Sequence, residues 1–212
     1  MLFRSEKMKL NLPNKLTVLR ICLVPVLLIV GMLPESVIPH LWSCVICAVL
    51  FIGTSITDML DGKIARGRGM ITDFGKFLDP VADKFMVIGA MFVILYKFDN
   101  LRTVMIAVLL IVVFRELAVT SMRLVVSTGN GIVIAANYLG KIKTVSQIVC
   151  VCTVFLEPVV EYLIELIIPA DRYILHGIYP LTWLTMAFTV VMTVWSGVNY
   201  IKSYWKYLDP EK

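Results

Sequence analysis

Four aspartates, Asp58, Asp61, Asp79 and Asp83, stand within the stretch SITDMLDGKIARGRGMITDFGKFLDPVADK at residues 55–84, which holds five of the chain's fifteen acids. On helices, Asp58 and Asp61 share a face at i,i+3 and Asp79 and Asp83 do so at i,i+4. Four carboxylates converging from two adjacent helix ends repel one another unless cations neutralise them. Oxygen ligands without His or Cys suit Mg²⁺, Mn²⁺ or Ca²⁺ rather than zinc. Two such ions fit four shared carboxylates, and a metal pair is the usual clamp on a phosphoryl or pyrophosphate group undergoing in-line displacement. The competing structural reading is salt bridging to Lys63, Arg66, Arg68 and Lys84, although solvated pairs need no regular spacing. Asp79 followed by Pro80 also reads as a helix N-cap with Pro at the first helical position.

The elements that must position these acids are apolar. With 59% hydrophobic and 17% charged residues and a mean hydropathy of +0.86 over 212 residues, the chain is too apolar for an ordinary water-soluble domain. An all-α integral membrane protein is expected, and the net charge of +5 then marks cytoplasmic loops rather than nucleic-acid binding. Apolar runs of bilayer length predict six transmembrane helices at about 16–33, 38–61, 81–98, 103–127, 142–168 and 181–204. Pro158 is expected to kink or shorten the fifth. With no internal repeat or long linker, residues 1–212 read as one membrane domain: an interfacial or solvated segment 1–12, a six-helix core 13–204 and a tail 205–212.

Placing both termini in the cytoplasm puts seventeen of the twenty basic residues on that side and leaves Lys97, Arg102 and Arg172 outside. The acids then lie at the cytoplasmic surface of a multi-pass protein of the cell membrane. Arg20 within the first apolar run, and the absence of a small-residue cleavage pattern, argue against a cleavable signal.

Other groups have structural readings. Cys44, Cys47, Cys150 and Cys152 lie in apolar helices without His or acid at ligand spacing, so they read as small buried residues. His40 and His176 fall on the outer side, away from the acids. The segment GMITDFGKF is not a phosphate-binding P-loop, because the glycine spacing is wrong and Phe77 stands where Ser or Thr should follow the Lys.

The string Asp58-x2-Asp61-Gly62-x2-Ala65-Arg66-x8-Gly75-x3-Asp79-x3-Asp83 resembles, at all eight fixed positions and gaps, the signature of the CDP-alcohol phosphotransferases. NLPNKLTVLRICLVP at 11–25, FRELAVTSMR at 114–123 and GKIKTVSQ at 140–147 are similar to its bacterial phosphatidylglycerophosphate synthase branch. The resemblance implies transfer of the phosphatidyl group from CDP-diacylglycerol to sn-glycerol 3-phosphate, with release of CMP, in a homodimer. It implies that the four acids hold two divalent ions on the donor pyrophosphate and that Asp83 is the base for the acceptor hydroxyl.

Around that core, Gly62 and Ala65 would let the cytidine approach closely, Arg66 would pair with phosphate, and Gly75 would relieve crowding where the chain turns toward Asp79. Asn14 and Thr17, placed before the first helix, resemble donor-binding positions and could equally be caps. Arg115, Arg123, Lys141 and Lys143 form a cationic receiver for the acceptor phosphate, with Glu116 able to pair with one of them and Gln147 placed for a glycerol hydroxyl. Snorkelling to headgroups is the structural alternative for Lys141 and Lys143.

Two alternatives remain. One is a sister enzyme with another acceptor, such as inositol phosphate, serine or phosphatidylglycerol. The other is a cation transporter, whose ionisable residues would instead belong near the bilayer midplane.

Overall fold

A computed structural model describes residues 11–67, 72–130, 138–167 and 178–205 of the chain. Among these there are six α-helices and no strand: α1 (Leu12–Met32), α2 (His40–Gly67), α3 (Asp73–Lys97), α4 (Arg102–Asn130), α5 (Tyr138–Glu165) and α6 (Pro180–Tyr204), with one 3₁₀ turn at Asp99–Leu101. The predicted interfacial segment (residues 1–10) and most of the tail (206–212) lie outside the described residues.

Five of the six helices are long and apolar enough to cross a membrane, an architecture that suits a multi-pass membrane protein. The exception is α3, whose first half carries Asp73, Lys76, Asp79, Asp83 and Lys84. From Phe85 to Tyr96 it carries no charged residue. The expected third span, at about 81–98, is thus a helix of two characters, charged where it meets the site and apolar beyond it.

Three boundaries differ from the sequence reading. α3 begins at Asp73, and its N-cap is Thr72, whose hydroxyl accepts from Gly75 N at 3.1 Å. Asp79 is therefore not the cap, and Pro80 lies inside the helix. α1 begins at Leu12 with Pro13 in its first turn, so Asn14 and Thr17 sit on the helix rather than before it. The cap position belongs to Asn11, whose side chain makes no capping bond. α5 continues through Pro158 to Glu165.

The core lies where α1, α2, α3, α4 and α5 meet, around Phe51, Met91, Ile94, Met105, Val108 and Phe155. Cys44, Cys47 and Cys150 are fully buried in it, as their apolar surroundings predicted, whereas Cys152 is only partly buried against it. α1 packs most extensively on α3. That approach depends on small residues: a Cβ on Gly31 would fall 2.2 Å from Val93 Cγ1, and one on Gly89 would fall 2.7 Å from Val24 Cγ1. Closely packed backbones let the polar ends of α1 and α3 share hydrogen bonds. On the opposite flank α6 covers α5 and α4, while Leu110, Phe114, Leu184 and Trp195 stay on the outside, as expected of surfaces facing hydrocarbon.

Candidate active site

Asp58 and Asp83 meet at a residue of α1. Arg20 is fully buried, and its Nη1 lies 2.7 Å from Asp58 Oδ1 on α2 and 2.9 Å from Asp83 Oδ1 on α3. One turn earlier on α1, the Thr17 hydroxyl donates to Asp79 Oδ1 at 2.7 Å. A further turn back, Asn14 Nδ2 donates to the Thr72 hydroxyl at 3.0 Å. Asn14, Thr17 and Arg20 are spaced by three, so one face of α1 runs down the charged half of α3.

This ladder explains Gly75. A Cβ there would stand 2.9 Å from Asn14 Oδ1 and 3.3 Å from Thr72 Oγ1. The crowding is between two helices, not at a turn toward Asp79.

Arg20 is the residue of this arrangement that sequence reasoning missed; it served there only as a charge for topology and as an argument against a cleavable signal. A signal was available, because an arginine two turns into an apolar helix is costly unless something compensates it. Asp58 and Asp83 each form a salt bridge with Arg20, a partner the sequence reading did not consider; the side chains of Lys63, Arg66 and Arg68 lie outside the described residues. The side chains of Asp61, Ala65 and Arg66 lie outside the described part of the structure. Gly62 is in the last turns of α2.

Asp58, Asp79 and Asp83 line one cavity of about 830 Å³ that also reaches Arg115, Arg123 and Lys143. Its other wall is apolar, with Ile52, Ile56 and Met59 from α2 facing Ile148 and Val149 from α5. Among the described residues no three acids, His or Cys are grouped to hold an ion; Asp58 and Asp83 close on Arg20. The donor chemistry is still that of a hard cation, since the acids supply only oxygen.

The basic residues form a second network across the cavity. Glu116 on α4 pairs with Lys143 on α5 and, at 3.3 Å, with Arg115. All three are largely buried. Arg115 Nη2 donates to the Ser196 hydroxyl on α6 at 2.7 Å, and its aliphatic stem passes over Gly197. Arg123 donates to the Tyr200 hydroxyl at 3.3 Å and lies over that ring.

These groups line a polar cleft of about 190 Å³ together with Asp83, Lys84, Thr144 and Gln147. Gln147 is buried, and its Nε2 has no protein partner. Lys141 is exposed and lines the larger cavity but not this cleft. Of the predicted acceptor residues, the structure therefore brings Arg115, Arg123, Lys143 and Gln147 into one cleft and leaves Lys141 at its edge. Asp83 faces both spaces, and Lys84 is a cleft cation that the sequence reading did not assign.

A cavity with carboxylates at one end, buried guanidinium and ammonium groups at the other, and an aliphatic wall can accept a polyanion that carries hydrocarbon. Comparison with known proteins agrees. Residues 10–195 match the family model described as CDP-alcohol phosphatidyltransferase. The chain is 38% identical over 209 residues to the CDP-diacylglycerol--glycerol-3-phosphate 3-phosphatidyltransferase of Bacillus subtilis (strain 168), covering 93% of this chain and 97% of that one. It is 30% identical over 200 residues to the protein of the same name from Yersinia enterocolitica, covering 94% and 97%. The family match covers α1 to α5 whole and most of α6, and on that ground the chain belongs to the CDP-alcohol phosphatidyltransferase family.

Proposed function

We propose that the protein transfers the phosphatidyl group of CDP-diacylglycerol to sn-glycerol 3-phosphate, giving phosphatidylglycerol phosphate and CMP. The observation that carries this reading is the position of Asp83, which lies on the wall between the acid-lined cavity and the cleft of Arg115, Arg123 and Lys143. The names of the curated relatives supply the two substrates.

In this reading the donor lies with its pyrophosphate at the acids and its acyl chains along the α2 and α5 aliphatic wall. Gly62, Ala65 and Arg66 of α2 line the nucleotide, and Asn14, Thr17 and Gly75 hold that end of the site in shape. Divalent ions, Mg²⁺ or Mn²⁺, would be held by Asp58, Asp61, Asp79 and Asp83 and would place positive charge on the pyrophosphate. Arg115, Arg123 and Lys143 bind the acceptor's phosphate, Lys141 guards the entrance, and Gln147 Nε2 donates to a glycerol hydroxyl.

The acceptor phosphate anchors glycerol so that its free hydroxyl points toward Asp83. Asp83 takes the hydroxyl proton as the oxygen attacks the β-phosphorus, and CMP departs with the bonding pair. The acids face the cytoplasm, and the protein works as a homodimer in the cell membrane. The second reading is the same reaction with another alcohol as acceptor.

The test is an acceptor panel. Purified protein with CDP-diacylglycerol and Mg²⁺ should release CMP with glycerol 3-phosphate and not with serine, inositol phosphate or phosphatidylglycerol. CMP release with one of those alcohols and none with glycerol 3-phosphate would overturn the assignment.

A further inference from the structure

Arg20 is fully buried, and a single nitrogen of its guanidinium meets carboxylates from two other helices. Three helices therefore converge on one positive charge. The Asp58 and Asp83 side chains remain 39% and 46% exposed, yet two carboxylates that close on a common point still repel each other, and a cation between them offsets that repulsion.

We propose that Arg20 is the resident counter-ion of the acid centre: a positioning residue that fixes Asp58 relative to Asp83 and weakens the centre's hold on divalent cations. The inference rests on the reading above that these acids face such ions. Its physical content is a competition. A divalent cation approaching Asp58 and Asp83 meets a field already reduced by one unit of charge, so it binds less tightly and exchanges more readily. When the ions leave, Arg20 keeps the carboxylates from springing apart, and the site stays shaped for the next donor.

The experiment uses the full chain in detergent micelles without substrate. Mn²⁺ binding is followed by the loss of the free-ion EPR signal for the natural protein, Arg20→Gln and Arg20→Lys. The expected result is that Arg20→Gln binds Mn²⁺ about tenfold more tightly, that Arg20→Lys stays within about threefold of the natural protein, and that turnover falls in Arg20→Gln despite its tighter ion. Equal or weaker Mn²⁺ binding by Arg20→Gln would overturn the proposal. Absence of Mn²⁺ binding by the natural protein would overturn the metal reading of the acids.

The counter-ion role is then decided by thermal unfolding in EDTA. Arg20→Gln combined with Asp58→Asn should be more stable than Arg20→Gln alone, because the pair no longer leaves two facing charges. A double variant no more stable than the single one would show that Arg20 acts through packing alone and would overturn the proposal. The same comparison serves if Arg20→Gln by itself does not fold.

Discussion

The hydroxyl of Thr17 on α1 donates to Asp79 Oδ1 on α3 at 2.7 Å, joining residues sixty-two positions apart. Thr17 is almost completely buried, whereas Asp79 is exposed toward the cavity, so the bond fixes the carboxylate from behind. Thr17→Val keeps the shape and removes the donor. It should lower stability by about 1 kcal/mol and reduce kcat more than it raises KM for glycerol 3-phosphate, while Thr17→Ser should restore both. Steady-state kinetics and thermal unfolding check this, and a fully active Thr17→Val would separate Asp79 from any need of positioning.

Asp83 carries the proposed proton transfer. Asp83→Asn preserves an oxygen for Arg20 while removing the base, so CMP release should fall by about 10²- to 10⁴-fold. Binding of CDP-diacylglycerol, measured by equilibrium retention on the detergent-solubilised protein, should change little. A nearly normal rate would remove Asp83 from the role of base.

Glu116 holds two cations of the proposed acceptor cleft at once, Arg115 and Lys143. Replacing it with Gln leaves those largely buried cations without their acid, which should destabilise the protein by about 3 kcal/mol. The same change makes the cleft more positive, so glycerol 3-phosphate should raise the melting temperature of Glu116→Gln more than that of the natural protein. A smaller shift would mean that Glu116 shapes the phosphate site rather than merely balancing its charge.

The parts of this arrangement that were legible in the sequence are those written in local spacing. Asp58 and Asp61, and Asp79 and Asp83, declare a shared helical face by intervals of three and four, and the apolar runs declare the six helices. Arg20 was not legible in the same way, because its partners are thirty-eight and sixty-three residues away and no local pattern points to them. The Asp79-Pro80 pair misled because it is a strong local start signal; Thr72 outcompetes it, being tied to Asn14 across the interface with α1. The pairing of Glu116 with Lys143 was foreseeable as a type of contact, but Ser196 and Tyr200 of α6 enter the cleft network only through tertiary packing.

Gly75 tests whether the contact between α1 and α3 is as tight as the ladder of Asn14, Thr17 and Arg20 suggests. Gly75→Ala places a methyl group 2.9 Å from Asn14 Oδ1, which should cost about 1–3 kcal/mol. Asn14→Ala removes that oxygen at the cost of its bond to Thr72. The two changes should therefore be less damaging together than the sum of their separate effects, as read by thermal unfolding. Strict additivity would show that the α3 N-terminus accommodates the methyl group without reference to Asn14.

At the opposite end of the molecule, Glu157 of α5 caps α6. Its Oε1 accepts from Leu181 N at 2.9 Å and its Oε2 from Thr182 N at 2.7 Å, so one carboxylate satisfies two amides of the first turn and meets the positive end of the helix dipole. Pro180 contributes no N–H to that turn, and Tyr179 before it has a positive φ of 51° and makes no capping bond with its side chain. Glu157 thus stands in for a local cap. Glu157→Ala should lower stability by about 1–2 kcal/mol, whereas Glu157→Gln, which keeps one acceptor oxygen, should lose less. Because the acids and the acceptor cleft lie at the other ends of α5 and α6, kcat and KM measured below the unfolding temperature should stay within about twofold of the natural values. A large loss of turnover in a folded Glu157→Ala would instead tie the α6 N-terminus to the positions of Ser196 and Tyr200, and through them to Arg115 and Arg123.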